Sequence, residues 1–127
     1  MPTRRQEKMA RAVKEIVSEV ILKHLSDPRI VGFVSVTRVK VAADLRIADV
    51  YLSIFGSDAA GEKKTYQAIE HARPKIQSML ADEIESRFCP VLRFHKDEEF
   101  KKALETLRLL EEISAENRKK EEQQENS

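Results

Sequence analysis

A helical pattern in the second half of the chain, interrupted by Pro74, constrains the fold more than any other feature. Proline has no N–H and its ring would clash with the carbonyl of Glu70, so it fits the start of a second helix better than the middle of one. Apolar residues keep helical spacing on both sides of the proline, so both halves should face one core: Ile69, Ala72, Ile76, Met79, Leu80 and Ile84. The sequence therefore predicts two successive helices with a kink at Ala72-Arg73-Pro74.

The predicted kink opens a new helix N-terminus, and such a terminus attracts anions. Unbonded amides and the positive end of the helix dipole meet there. We expect the amides of Lys75, Ile76 and Gln77 to point at the same place as the side chains of His71, Arg73 and Lys75. A phosphate group fits this combination.

The first part of the chain predicts a long amphipathic helix from Arg5 to Leu25, ended by Asp27-Pro28. On its polar side, basic residues recur three and four positions apart, with two more close by: Arg4, Lys8 and Arg11, then Arg5 and Lys14. This stripe is either a solvated helix face or an anion-binding surface, and the spacing alone fits both.

Runs rich in β-branched residues predict two strands, Phe33–Val41 and Arg46–Phe55, joined as a hairpin by the four residues between them. The first run changes the phase of its apolar residues, which predicts a β-bulge near Thr37 or Arg38. A third, short strand is predicted at Val91–His95.

A loop from Gly56 to Gly61 should precede the interrupted helix, and Asp97 should cap the last helix. The apolar residues of that last helix predict a buried side: Phe100, Leu104, Leu107, Leu110 and Ile113. Beyond Ser114 the chain is almost wholly polar and charged, which is typical of disorder or of a frayed helix end. We therefore expect one domain over residues 1–113 and a charged, disordered tail over residues 114–127.

The composition predicts a single cytosolic domain. Of 127 residues, 41% are hydrophobic and 35% are charged. No apolar run approaches the roughly 20 residues of a membrane span, no apolar signal core is present, and a single cysteine cannot form an internal disulfide.

Charge is unevenly distributed along the chain. The net charge of +1 includes a net charge of +4 over residues 1–50 and one of −4 over residues 97–127. One face can therefore be basic enough to meet a polyanion.

The sequence offers no site for catalysis or for a metal. Residues 56–63 superficially look like a nucleotide-binding P-loop, but Glu62 stands where that motif needs lysine. The possible soft ligands lack the paired spacing of metal sites: His24, His71, His95 and Cys89. We expect no cofactor, no metal and no enzymatic activity.

The element order is helix, strand, strand, helix, kink, helix, strand, helix, which predicts an α+β layer with helices on one face of a three-stranded sheet. Four motifs in sequence carry a family resemblance: Asp27-Pro28-Arg29, Val36-Thr37-x-Val39, Asp44-Leu45-x-x-Ala48-x-Val50-Tyr51 and Arg87-x-x-Pro90-x-Leu92-x-Phe94-x-x-Asp97. From about Lys8 to Ile113 the chain closely resembles bacterial ribosome-binding factor A. The resemblance implies a type II KH-like fold. It also implies a non-catalytic factor that binds the immature small ribosomal subunit and its RNA, assists late rRNA maturation and supports growth in the cold.

At the kink the chain departs from this family. The family usually has Ala-x-Gly where other KH domains carry a glycine-rich clamp for nucleotides, whereas this chain has Ala72-Arg73-Pro74. Proline deletes the amide that glycine would offer. The family also tends to carry arginine at the position of Gln77, so Arg73 and Lys75 would supply the charge instead. Arg87 matches the family, although it could equally cap the preceding helix.

The expected RNA-binding residues combine the stripe, the kink and the arginine before the third strand: Arg4, Arg5, Lys8, Arg11, His71, Arg73, Lys75 and Arg87. The expected partners are the small ribosomal subunit with its precursor rRNA and assembly GTPases, with no membrane and with a monomeric protein. One alternative is a protein-interaction module that docks on a ribosomal protein or an assembly GTPase with little direct RNA contact. Another is an RNA-processing nuclease, for which no catalytic residues are visible.

Overall fold

The structure, a computed structural model, describes residues 1–56 and 58–125. Ser57 of the predicted loop and residues 126 and 127 of the predicted tail lie outside that part. The described elements are, in order, α1 (Arg4–Lys23), β1 (Phe33–Val41), β2 (Ile47–Phe55), α2 (Ala59–His71), α3 (Arg73–Glu83), β3 (Val91–Lys96) and α4 (Glu98–Glu125). They confirm the predicted α+β class and element order. The chain divides into two units, residues 1–97 and the segment from Glu98 onward.

The three strands form one mixed sheet in the order β1-β2-β3. β1 and β2 pair antiparallel, and β2 and β3 pair parallel. The register shifts between Val36 and Arg38, which confirms the predicted bulge and assigns the extra residue to Thr37. Helices α1, α2 and α3 pack on one face of the sheet. The core between them includes Val13, Val17, Val50, Leu52, Ile69, Ile76, Leu80 and Leu92.

Helix α1 begins at a complete capping box. The amide of Gln6 donates to the Thr3 hydroxyl (3.2 Å), and the amide of Thr3 donates to the Gln6 side chain (2.7 Å). Two amides that the first turn would leave unpaired are thereby satisfied. The same Gln6 side chain donates to the carbonyl of Val41 (3.0 Å), so the start of α1 is also tied to the end of β1.

The kink has the predicted geometry. Ala72 lies between α2 and α3 with φ −82° and ψ −1°, and Pro74 falls in the first turn of α3. Ile69 and Ile76 are both fully buried in one core, as the spacing predicts. The expectation of a free Ile76 amide is wrong, because this amide donates to the carbonyl of Ala72 (3.0 Å). That carbonyl already points along the new helix axis, so it closes the first helical hydrogen bond.

Helix α4 runs without interruption from Glu98 to Glu125 and so crosses the predicted domain boundary at residue 113, which stays a prediction. The residues predicted for its buried side are each at least 39% exposed: Phe100, Leu104, Leu107, Leu110 and Ile113. That expectation is wrong. Helical spacing identifies residues that share a face, but it does not establish that another element covers them.

The side chain of Gln77 joins α3 to β3. Its Nε2 donates to the carbonyl of Pro90 (2.8 Å), and its Oε1 accepts from the amide of Leu92 (2.9 Å). Gln77 is half-buried, while Pro90 and Leu92 are buried, so water cannot readily replace these bonds. Gln77 therefore acts as a structural link between α3 and β3.

We predict that Gln77→Ala lowers the free energy of unfolding by about 1–3 kcal/mol, because a buried amide and a buried carbonyl lose their partner. Urea denaturation followed by circular dichroism measures the change. Gln67→Ala is the matched control, since Gln67 is exposed on α2 and should cost less than about 0.5 kcal/mol. Equal losses in the two variants would contradict the role assigned to Gln77.

Candidate functional site

Helices α1 and α3 run antiparallel, and this separates the predicted site residues into two groups. At one end, Lys75 near the start of α3 donates to the carbonyl of His24, just beyond the end of α1 (2.9 Å). At the other end, Arg5 of α1 shares a groove with Glu83 of α3. Because the 20 residues of α1 span about 30 Å, the basic stripe and the kink lie far apart. They cannot form one compact phosphate site.

The stripe is an exposed cationic surface at the start of α1. Arg4, Arg5, Lys8 and Arg11 line one depression of about 540 Å³, together with Glu7. Within residues 1–56 and 58–125, none of the four cations forms an ion pair. Glu7 is the carboxylate that lines this depression with them, so positive charge exceeds negative charge there and is available to an anion.

A groove of about 520 Å³ adjoins the stripe between α1, the β1–β2 turn and the end of α3. Its floor is apolar and consists of Met9, Ala12, Ile16, Leu45 and Ile84. Arg5 and Lys8 contribute cations to its lining, while Glu83 and Glu85 contribute carboxylates.

Arg87 lies just beyond this groove, because the preceding residue, Ser86, lines it. The guanidinium of Arg87 lies 5.7 Å from the centre of the exposed Phe88 ring. In the part of the chain that the structure describes, Arg87 makes no hydrogen bond to the last carbonyls of α3. Because that groove also contains Arg5 and Lys8, Arg87 lies at the stripe end of α1, away from the kink.

The kink group consists of His71, Arg73 and Lys75, all exposed. The ammonium of Lys75 is already bound to the carbonyl of His24, where a cation offsets the negative end of the α1 dipole. Pro74 has no amide, and the amide of Ile76 is bonded. Fewer donors are thus free at the kink than the sequence predicts.

A carboxylate also lies near the kink. Asp27 accepts three side-chain hydrogen bonds from Arg29, at 2.7, 3.1 and 3.2 Å, and one from the Arg29 amide at 2.9 Å. These bonds, with a smaller contribution from nearby His71, hold the pKa of Asp27 at about 2, below its ordinary value of 3.8. Asp27 is ionised at neutral pH, and its ion pair with Arg29 leaves the two side chains together without net charge.

A third polar surface lies on the sheet face opposite the helices, and the sequence analysis missed it. It carries Arg38, Lys40, Asp49, Tyr51, Arg93 and His95, which alternate with core residues along the three strands. The alternation is visible in the sequence. The pairing that brings these residues together is not, because it depends on the register of three separate strands.

The described residues provide no cluster of three or more His, Cys, Asp or Glu side chains that could hold a metal ion. Burial raises the pKa of the Cys89 thiol, and its sulfur lies 3.4 Å from Gln77 Nε2. These surroundings suit a packed thiol better than a nucleophile. Among the helices described, none is long and apolar enough to cross a membrane.

The fold and these surfaces define a small α+β domain of the type II KH-like class with several exposed basic regions. The family model for ribosome-binding factor A matches residues 5–110. A ribosome-binding factor A from Dictyoglomus thermophilum is 37% identical over 113 residues, which cover 89% of this chain and 93% of the relative. One from Geotalea uraniireducens is 39% identical, covering 88% and 90%. The chain belongs to the ribosome-binding factor A family, as the sequence motifs predict.

Solved structures agree on the fold. The solution NMR structure of a Thermotoga maritima protein assigned to ribosome-binding factor A gives a TM-score of 0.64 at 28% identity, covering 76% of this chain and 91% of that one. A Thermus thermophilus ribosome-binding factor A, fitted as a homology model into a cryo-EM map of its 30S complex, gives a TM-score of 0.55 at 24% identity. It covers 68% of this chain and 88% of that one.

We predict that carboxyl NMR titration finds a pKa of about 2 for Asp27 and that Arg29→Ala raises it towards 3.8. Because the folded-state pKa is depressed, the stability from this pair is complete above about pH 4 and is lost as the pH falls towards 2. Arg93→Ala is the matched control, since Arg93 lowers the pKa of Asp49 instead. An Asp27 pKa that does not respond to Arg29→Ala would contradict the assignment.

Proposed function

We propose that this protein is a non-catalytic assembly factor that binds the immature small ribosomal subunit and its rRNA and assists late rRNA maturation. In this proposal it acts as a monomer in the cytoplasm and supports growth in the cold. The observation that carries the proposal is the stripe, where four exposed cations and the carboxylate of Glu7 line a single depression. Family membership identifies the ribosome as the polyanion that this surface would meet.

The Thermus thermophilus relative supports the choice of subunit, because it was fitted into a map of a complex with the 30S subunit. The relative and this chain share their fold over most of that protein's length. We extend small-subunit binding to this chain because the chain shares both the family and the fold of that relative.

The binding mechanism we propose is electrostatic. Lysine and arginine side chains neutralise RNA phosphates and release counterions, which supplies affinity without sequence readout. The chain has no tryptophan, two tyrosines and five phenylalanines, and Phe94 is in the core. It therefore offers little for base stacking, and recognition would depend on the shape of folded rRNA.

We predict that the protein cosediments with purified small subunits and with naked small-subunit rRNA, but not with large subunits. If four phosphate contacts form, the affinity should fall with a log-log salt slope of roughly −3 to −4. Sedimentation over a salt series, with the large subunit as control, measures both. Binding to neither subunit would overturn the proposed function.

The groove beside the stripe favours a second candidate function, docking on a ribosomal protein or an assembly GTPase. Its apolar floor and mixed charges suit a protein segment better than RNA. In that case the protein would bind whole subunits tightly and naked rRNA weakly. The same sedimentation experiment separates the two candidates.

We predict that Lys8→Gln combined with Arg11→Gln weakens small-subunit binding about tenfold and makes the salt slope shallower by roughly 1.5, because two phosphate contacts are lost. Filter binding at several salt concentrations measures both values. Lys119→Gln combined with Lys120→Gln removes the same charge from α4 and should change the affinity less than about twofold. Equal losses of affinity in the two double variants would contradict a specific contribution of the stripe to binding.

A further inference from the structure

The outer face of the sheet, opposite α1, α2 and α3, carries two rows of polar side chains with one residue from each strand. The first row contains Arg38, Tyr51 and His95, and the second contains Lys40, Asp49 and Arg93. The strand register pairs the members of each row directly. Their neighbours along β2 and β3, such as Val50 and Leu92, are buried on the opposite face, so the six residues share the outer one.

The first row is a stack of three flat groups. The guanidinium carbon of Arg38 lies 4.0 Å from the centre of the Tyr51 ring, and the Tyr51 and His95 rings stack with centres 5.0 Å apart. Because this spacing is close to the roughly 4.8 Å between adjacent strands, the groups stand upright and face one another. Their edges remain exposed, and these edges carry guanidinium N–H groups and a phenol O–H.

The second row holds the first in position. The Asp49 carboxylate accepts two hydrogen bonds from Arg93 (2.9 and 3.1 Å) and lies 2.7 Å from His95 Nε2. Asp49 thereby fixes the side chains of both residues. His95 in turn stacks on Tyr51, and Tyr51 contacts the Arg38 guanidinium, so these side chains are ordered before any ligand binds, which lowers the entropy cost of binding.

Positive charge exceeds negative charge on this face. The two rows contain the cations Arg38, Lys40 and Arg93 and the single carboxylate of Asp49. Asp97, whose side chain is 8% exposed, forms an ion pair with Arg38 (3.8 Å to Nε), so the three cations and two carboxylates leave a net charge of +1. Lys40 forms no ion pair with any residue that the structure describes.

We propose that this outer sheet face is a second RNA-binding surface, which receives the sugar–phosphate backbone of rRNA on Arg38, Lys40 and the exposed edge of Tyr51. The inference deepens the proposed function and rests on it. Stacked rings offer little free face to a nucleobase, whereas N–H and O–H edges suit phosphate oxygens and 2′-hydroxyls. The exposed apolar residues of this face, Phe33 and Val91, lie outside the two rows, so the centre of the face lacks the apolar anchors that a protein interface needs. An acidic protein surface is therefore the less suitable ligand.

The test compares Arg38→Gln/Lys40→Gln with the matched control Lys63→Gln/Lys64→Gln, which removes the same charge from exposed positions on α2. Dissociation constants are measured for small subunits and for naked small-subunit rRNA over a salt series. We expect the sheet variant to bind both about tenfold more weakly, with a slope shallower by roughly 1.5, and the control to change less than about twofold. Circular dichroism checks folding, and Lys40→Gln alone provides a second variant.

The outcomes separate this inference from the proposed function. If the wild-type protein binds neither small subunits nor their rRNA, the proposed function fails. If the wild-type protein binds and the sheet variant matches the control, only the outer-face inference is overturned. A loss on whole subunits without a loss on naked rRNA would assign this face to a ribosomal protein and would overturn its role in RNA binding.

Discussion

The parallel pairing of β3 with β2 is the constraint on which the rest of this structure depends. A parallel strand cannot be reached through a tight turn, so the chain must cross back along the sheet between Phe55 and Val91. Helices α2 and α3 make this crossing, and both bury their apolar sides against the sheet. The break at Pro74 lets the chain change direction while Ile69 and Ile76 stay in the same core. A straight helix of the same length would carry one half away from the sheet.

This arrangement also determines where charge can accumulate. Since α1, α2 and α3 occupy one face, the polar residues of the strands are left on the other, where Arg38 and Tyr51 meet. Since α1 is antiparallel to α3, the stripe and the kink lie at opposite ends of the helical layer. The unit formed by residues 1–97 therefore presents several separate polar surfaces. Such a distribution suits a large folded polyanion better than a small ligand, which would need one enclosed pocket.

Several polar residues that could be taken for ligand-binding ones stabilise the fold. Asp27 accepts a hydrogen bond from the amide of Arg29 two positions on, which forms an Asx-type turn after α1. Gln77 links α3 to β3, and Lys75 binds the carbonyl of His24. Thr65 shows the same behaviour on α2, since its hydroxyl accepts from the amide of Val31 and donates to the carbonyl of Gly61. Polar character alone does not distinguish such residues from ligand-binding ones.

The sequence by itself determined the order of the elements and the apolar faces of α1, α2 and α3. The bounds of β1, a bulge at Thr37 or Arg38 and the helix start beside Pro74 follow from local spacing and from the covalent geometry of proline. Only the tertiary structure decided which side chains meet across elements. It separated Arg5 from Lys75, brought Tyr51 and His95 together, and left Leu107 exposed. The physical reason is that backbone periodicity depends on neighbouring residues, whereas contacts between faces depend on the register and packing of distant segments.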